Sequence, residues 1–373
     1  MLSIKTTGCF AEFATTPQHQ TIFSLPDSRP LYWSFSQDQR FLQFLFTMSE
    51  TMQAIVISSF GGPEVLQHRS VPKPIPTEGE VLVHVHAFGL NHAEMSMRKG
   101  EWDEWNPISG LECVGTVEAD PSGQFPIDTK VVAVMGGMGR NRPGGYGQFV
   151  NVPISNVVGI ETNLPWEQLA ALPEVYSTAY SCIHTILEIK RGERVLIRGA
   201  TSTIGQAALN LAVNAGAKVT GTTRRTGRFE MLKNLGAENA IFEEKVLSPL
   251  FADTKFDKTL NLIGNSVLLD SIRLTQTGGR MLQAGWLGGL APVVDFNPMV
   301  EMDSGIHFSL FHSKNLGTAE FPMSGIPLQE IVKEVEKGAW NAKPTHVFGY
   351  KEIVKAHDLL ESHDAGGKIV IKH

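Results

Sequence analysis

The sequence predicts an α/β protein in two parts: a doubly wound parallel sheet, and a β-rich, barrel-like domain. Three observations carry that prediction. The β-branched run Arg194-Val195-Leu196-Ile197 stops at the small residues Gly199 to Gly205, and an Ala/Leu-rich helical pattern starts at once. Downstream, strand and helix patterns alternate, which is how a parallel sheet is built. Upstream, short apolar strands are separated by Gly/Pro turns such as Pro121-Ser122-Gly123 and Pro143-Gly144-Gly145, the mark of a sandwich or barrel.

The elements follow in order. Residues 1–50 are rich in Phe, Ser, Thr and Gln and hold no sustained period, so they are expected to be a disordered extension. Their acids and the shortness of the block Phe41 to Phe46 argue against a transit peptide or a membrane anchor. Ala54 to Ile57 reads as a strand, Gly61-Gly62-Pro63 as a turn, and Pro72, Pro74 and Pro76 as an extended loop. Glu80 to Ala87 alternates like a half-buried strand, with His84 and His86 on one face. A His-x-His pair binds metal only with further ligands, and none is evident, so a polar strand face is the simpler reading. Gly110 to Val117 and Lys130 to Val134 continue the strands. After the βαβ unit come a helix at Phe229 to Leu235, strands at Ala240 to Phe242, Phe256 to Gly264 and Gly279 to Gly285, and a helix at Leu268 to Leu274. Helices at Leu328 to Glu336 and near Ile353 to Glu361 precede a closing strand, Lys368 to Ile371. The expected division is 51–176 and 313–373 for the β-rich domain and 177–312 for the parallel sheet.

Composition narrows the function. With 373 residues, 42% hydrophobic and 19% charged, the chain holds enough apolar mass for two domains. A net charge of −6 gives no reason to expect nucleic acid or an anionic membrane as partner, and no apolar run approaches a membrane span. Cys9, Cys113 and Cys182 form neither a disulfide framework nor a C-x-x-C pair, which fits a reducing, cytoplasmic compartment.

The turn at Gly199 to Gly205 carries the chemistry. Followed by a helix and a second strand, Lys218 to Thr222, it makes a βαβ unit of Rossmann type. Unpaired N–H groups and the helix dipole at such a turn bind pyrophosphate. Aligned to G-x-G-x-x-G, the positions are Ala200, Ser202 and Gly205, so only the last glycine remains, although Ala and Ser still let a phosphate approach. Taken alone, a dinucleotide site and an ordinary buried turn both fit. The expected phosphate contacts are Ala200, Thr201, Ser202, Thr203, Ile204 and Gly205. Where an NAD enzyme carries an acid for the ribose 2′-OH, this chain has Thr222-Thr223-Arg224-Arg225-Thr226-Gly227-Arg228. Guanidinium matches an added phosphate in charge and in fork geometry. NADPH is therefore the expected cofactor, with Arg224 and Arg228 on its 2′-phosphate; the alternative is a solvated basic loop.

These landmarks resemble the medium-chain dehydrogenase/reductase superfamily, specifically its zinc-independent quinone oxidoreductase, or zeta-crystallin-like, branch, over about residues 52 to 373. The resemblance rests on Gly89-Leu90-Asn91-His92-Ala93-Glu94, Arg98-Lys99-Gly100, Gly110 to Val117, Gly145-Tyr146-Gly147-Gln148-Phe149-Val150, Leu172-Pro173 with Ser177-Thr178-Ala179-Tyr180, and Gly366-Gly367-Lys368-Ile369-Val370. It implies a Rossmann-type doubly wound parallel sheet plus a β-rich GroES-like barrel domain. Zinc-dependent relatives place cysteine at Asn91, histidine at Leu111 and a further ligand near Glu174, and add a four-cysteine lobe; Asn and Leu cannot replace thiolate and imidazole. No metal is expected.

The resemblance further implies roles. Asn91 stands beside the nicotinamide or the substrate oxygen, Thr178 at the cofactor cleft, Ile263 and Gly285 beside the nicotinamide, and Lys368 near the cleft. Relatives often have tyrosine two residues after the Arg-x-Gly element, a proton donor in mitochondrial enoyl reductases. Here that position is Trp102, so the proton must come from solvent, Tyr146, His92 or Glu94. Trp102 and Trp105 are expected to form an aromatic wall for a flat substrate. The expected activity is NADPH-dependent reduction of quinones or α,β-unsaturated carbonyls. The alternatives are an enoyl reductase of a fatty-acid or polyketide pathway and a non-catalytic NADPH-binding redox sensor. The expected partner is a small conjugated carbonyl or quinone, and the expected assembly a homodimer.

Overall fold

The structure, a computed structural model, describes residues 50–340 and 342–373. The expectation for the N-terminal extension, and Cys9 with it, lies outside the described residues. The first ordered pair is β1 (Thr51–Ile57) and β2 (Leu66–Pro72), antiparallel along their whole length. β1 buries Met52, Ala54, Ile55 and Ile57. β2 exposes Gln67 to Ser70 in succession and owes its extended form to pairing with β1 rather than to a buried face of its own.

β3 (Glu80–Gly89) is the spine of a largely antiparallel sheet. Val81, Leu82, Val83, Val85, Ala87 and Phe88 are all buried, so both its faces are covered. The sheet also holds β4 (Glu112–Ala119), β5 (Lys130–Val134), β6 (Phe149–Pro153) and β7 (Val157–Gly159). Helix α1 (His92–Lys99) leaves the end of β3, and α2 (Pro173–Tyr180) leads toward the second sheet.

That second sheet contains β8 (Arg194–Arg198), β9 (Lys218–Thr223), β10 (Asn239–Phe242), β11 (Phe256–Asn261), β12 (Thr275–Gln283) and β13 (His307–Leu310), with α3 (Thr203–Asn214), α4 (Phe229–Asn234) and α5 (Leu268–Arg273) between them. Its order is β10-β9-β8-β11-β12-β13 and every pair is parallel. This is the doubly wound 3-2-1-4-5-6 order. The chain leaves β8 toward β9 and β10, then returns to β11 on the other side of β8. A crevice opens at that reversal, outside the carboxyl ends of β8 and β11, and ligands of such sheets bind there.

After α6 (Leu328–Glu336), β14 (His346–Gly349) and the helix α7 (Ile353–Ser362), strand β15 (Ile369–Lys372) pairs antiparallel with the end of β3. The chain end thus rejoins the first sheet, whose order is β14-β15-β3-β4-β5-β7 with β6 also on β3. One apolar core joins the parallel sheet to α2 and runs on through Ala87, Leu111, Val114 and Val132; a second fills the first sheet around Ile55, Val83, Phe88 and Ile371.

Candidate active site

The turn after β8 is tight, and its glycines cannot be larger. Gly199 has φ +81°, a left-handed conformation that favours glycine. A Cβ on Gly205 would lie 2.5 Å from the Gly199 carbonyl oxygen, so the final glycine of the fingerprint lets α3 sit against the strand. Ser202 caps α3: its Oγ accepts the Gly205 N–H at 3.1 Å and donates to the Gly199 carbonyl at 2.8 Å. Ala200 is buried, while Thr201, Ser202, Thr203 and Ile204 are half-buried at the positive end of a twelve-residue helix. Across the crevice, Ile263 Cδ1 lies 3.1 Å from where a Gly199 Cβ would be. Gly285, after β12, abuts the Leu262 backbone so closely that a Cβ there would strike its carbonyl oxygen. These residues fit a dinucleotide.

The arginine loop continues from β9. Arg224 and Arg225 are exposed and Arg228 is half-buried. Arg225 pairs with Asp364 at 2.6 Å, and Arg228 Nη2 lies 3.5 Å from a Cβ position on Gly366. The Gly366 carbonyl accepts from Gln206 Nε2 at 3.2 Å, and Gln206 also holds the Thr201 carbonyl at 3.0 Å. The segment from Asp364 to Gly366 therefore touches the arginine loop and the phosphate turn together. One acid does approach the end of β9: Glu243, after β10, is hydrogen-bonded to the Thr222 hydroxyl. Fully buried Arg198 neutralises it at 2.5 Å, and Arg198 also binds Asp270 at 2.8 Å.

A buried polar cluster lies where β3, β4, α1, α2 and β15 converge. Asn91 starts α1, and its backbone N–H donates to Glu94 Oε2 at 2.8 Å. Its side-chain Nδ2 donates to Glu112 Oε1 at 3.1 Å, and its Oδ1 accepts from Lys368 Nζ at 2.6 Å. Lys368 also meets Glu112 Oε1 at 2.6 Å. The other Glu112 oxygen accepts the Glu174 N–H at 2.8 Å, and Thr178 Oγ1 donates to Glu174 Oε1 at 3.0 Å. Glu94, Glu112, Glu174, Thr178 and Lys368 are all buried. Lys368 thus touches one of three buried carboxyls, Glu112, and attracts Glu94 and Glu174 at longer range. Burial pushes the Glu94 carboxyl up to about 7, against the pull of two backbone N–H bonds and Lys368. Glu174 is raised for the same reason, burial.

Tyr146 and His92 lie next to this cluster, Tyr146 bonded to Glu94 and His92 following Asn91. Tyr146 is fully buried; its hydroxyl donates to Glu94 Oε2 at 3.1 Å and lies 2.9 Å from His357 Nε2. Burial raises the phenol well above its ordinary range. The hydroxyl is spent on these partners, so it reaches substrate only through Glu94. His357 is buried neutral, pushed down to about 3. His92 is half-buried with Nε2 3.3 Å from His363 Nδ1, the rings parallel to 4°. Burial, then His363 and Lys368, push His92 down to about 4.

The aromatic wall differs from the expected one. Trp102 lies 5.4 Å from Trp286, the residue after Gly285, whereas Trp105 turns onto Phe60 at 4.6 Å. The chain just after Trp105 is tied elsewhere, the Asn106 N–H to the Gly139 carbonyl and the Pro107 carbonyl to the Ile57 N–H, which holds Trp105 near β1. His84 stacks on Phe149 and His86 on Trp166. Leu111 is buried and offers Glu94 only its backbone N–H, while Cys113 and Cys182 are buried free thiols. Among the described residues, no group of three His, Cys, Asp or Glu side chains is arranged to hold a metal ion, and no helix is long and apolar enough to cross a membrane. Glu112, Trp286, Arg140 and Asp364 are site residues that the sequence does not single out, and Glu174 is named there only for a zinc ligand it does not supply. Glu112 carries a usable signal, a charge inside the apolar run Leu111 to Val114.

Residues 77–162 match the alcohol dehydrogenase GroES-like domain family and residues 203–322 the zinc-binding dehydrogenase family. The quinone oxidoreductase of Homo sapiens is 28% identical over 342 residues, covering 87% of this chain and 99% of that protein. The structure of the quinone oxidoreductase from Coxiella burnetii aligns with a TM-score of 0.74 at 25% identity, over 87% of this chain and 100% of that one. A phenolphthiocerol/phthiocerol polyketide synthase of Mycobacterium tuberculosis is 26% identical over 332 residues, 83% of this chain but 14% of that protein.

Proposed function

The chain belongs to the medium-chain dehydrogenase/reductase family, on its quinone-oxidoreductase-like side, and from that premise we propose that it is a zinc-independent, NADPH-dependent reductase of quinones or α,β-unsaturated carbonyls. The observation that carries this reading is the donor set at Asn91. Asn91 stands where zinc-dependent relatives use a thiolate and buried Leu111 where they use an imidazole, and the Asn91 Oδ1 accepts from Lys368 Nζ at 2.6 Å. An ammonium polarises an acceptor oxygen, and neither it nor an amide binds zinc well.

NADPH, when bound, supplies the hydride. Addition to a conjugated acceptor leaves negative charge on its oxygen. Lys368 Nζ gives one N–H to Asn91 Oδ1 and one to Glu112 Oε1, and its third is the donor that stabilises that charge in a site of low dielectric, with Asn91 holding it in place. Glu94 holds a proton near neutrality and is linked to Asn91 directly and to Tyr146 through its other oxygen. We assign Tyr146 a part in proton transfer through Glu94, and His92, neutral and half-buried, a place at the crevice mouth. Thr178 fixes Glu174, and Ile263 and Gly285 border the nicotinamide. The 2′-phosphate is assigned to Arg224 and Arg228. The pairing of Glu243 with Arg198 supports this, because it leaves no free acid at the end of β9 to favour an unphosphorylated ribose.

We further propose residues 51–176 with 313–373 as the catalytic domain and 177–312 as the cofactor domain, a cytoplasmic location, and a homodimer. The exposed Phe308 and Leu310 on the edge strand β13 support the dimer.

The test is NADPH oxidation by the purified protein with a quinone or an enone. Turnover should persist in EDTA and be slower with NADH. Activity lost to the chelator and restored by zinc overturns the reading. The likeness to a polyketide synthase keeps an enoyl reductase as the second reading. Faster turnover of an acyl thioester than of the matching free enone would favour it.

A further inference from the structure

We propose that Arg140 and Lys314 form a subsite for an anionic group, a carboxylate or phosphate, carried by the substrate beside the Trp102–Trp286 wall. This deepens the reductase reading and rests on it. A cavity of about 400 Å³ is lined by Arg140, Asn141, Glu104, Lys314 and Asn315. Arg140 follows β5 and Lys314 follows β13, so the two cations come from the two different sheets.

Two arginines, buried Arg198 and half-buried Arg140, show what is unusual here. Arg198 spends all three nitrogens on Glu243, Asp270, Ser271 and the Glu244 carbonyl. It is a structural tie. The Arg140 side chain is only 12% exposed, yet among the described residues its one hydrogen bond is Nη1 to Glu104 at 3.4 Å. Its Nε is buried with no partner. A guanidinium has five N–H donors, and leaving them unmet away from water is costly. A carboxylate or phosphate meets them in pairs.

The local charge points the same way. Lys314 Nζ shares the Glu104 carboxylate at 3.0 Å, so two cations face one acid that is itself 55% exposed. His312 adds no compensating charge; burial and the two cations hold it below its ordinary range. The Arg140 guanidinium lies over Trp102, 5.0 Å from the ring centroid, and Trp102 reaches Trp286. A flat acceptor against that wall therefore places an acidic substituent within reach of Arg140. Glu104 acts as the internal competitor that such an anion displaces.

The experiment uses matched acceptors. β-Acetylacrylate and its methyl ester differ in the carboxylate charge and one methyl group. An enoyl thioester of coenzyme A and the same thioester of pantetheine differ in the phosphates and the adenosine that carries them. The protein should prefer one anionic member over its neutral partner in kcat/KM by about tenfold, and the pair that shows it identifies the anion. Lys314→Gln should lower the anionic substrate about tenfold more than the neutral one. Glu104→Gln should widen the preference. Equal kcat/KM within both pairs, or equal losses for charged and neutral acceptors in Lys314→Gln, overturns the subsite while leaving the reductase reading intact. If NADPH reduces no acceptor, the reductase reading fails instead. The subsite is then tested by quenching of tryptophan emission with β-acetylacrylate against its ester, and equal quenching overturns it.

Discussion

Replacing Lys368 with methionine removes the one cation from a cluster of three buried carboxyls. Lys368 and Glu112 have side chains 5% and 0% exposed and meet at 2.6 Å. Without the ammonium, Glu112 keeps two donors, Asn91 Nδ2 at 3.1 Å and the Glu174 N–H at 2.8 Å. Two neutral donors do not compensate a buried charge, with Glu94 and Glu174 close by. Breaking one side of a buried pair costs about 3–5 kcal/mol. For a domain of this size that lowers the thermal midpoint by about 10 °C. Converting Glu112 as well, in Lys368→Met/Glu112→Gln, removes the orphaned charge and should recover most of the loss. Differential scanning calorimetry of parent, single and double variants reads the cycle. A Lys368→Met midpoint equal to the parent would mean that Glu112 is already neutral and that no ion pair holds the cluster. A double variant less stable than the single would refute the orphaned-charge reasoning.

Three more outcomes follow from the same geometry. Arg224→Ala and Arg228→Ala should each weaken NADPH about tenfold with little change for NADH, and an unchanged ratio of dissociation constants in the double variant would place both arginines in solvent. Glu94 keeps its proton up to about pH 7 folded but to about 4.5 unfolded, so its contribution to stability is full below about pH 4.5 and lost as the pH rises through 7. Glu94→Gln lacks that proton, so urea unfolding should show the parent losing about 1.4 kcal/mol per pH unit relative to the variant between about pH 5 and pH 7; parallel curves would refute it. Gly205→Ala forces a Cβ to 2.5 Å from the Gly199 carbonyl, and should cost about 1–3 kcal/mol and weaken NADPH binding measured by fluorescence titration.

Several elements are legible because their signal is local. Lys130–Val134 and Leu328–Glu336 have in the structure the bounds that periodicity gives them. In the helix Leu328, Ile331, Val332 and Val335 form one buried stripe, a pattern independent of any partner. β2 is not read as an element from the sequence, where only Pro72 at its end is placed, in an extended loop. Its exposed Gln67-His68-Arg69-Ser70 has no apolar alternation, and only the ladder to β1 makes it a strand. The aromatic wall is half legible: Trp102 lies there, but its partner Trp286 is far away in sequence, and Trp105 faces Phe60 instead.

The sequence alone determined the βαβ turn, the missing zinc-type donors at Asn91 and Leu111, and the acid-free strand end with its arginines, because each is a matter of residue type at short spacing. Only the tertiary structure decided what the polar residues do. Lys368 is 256 positions from Glu112, and Tyr146 is 52 from Glu94; no periodicity encodes such pairs. They meet because β15 returns to pair with β3, bringing the chain end beside Asn91. Charge and burial are properties of that meeting. Arg198 and Arg140 are the same residue type in sequence, and it is the folded surroundings that saturate one with carboxylates and leave the other with donors unspent.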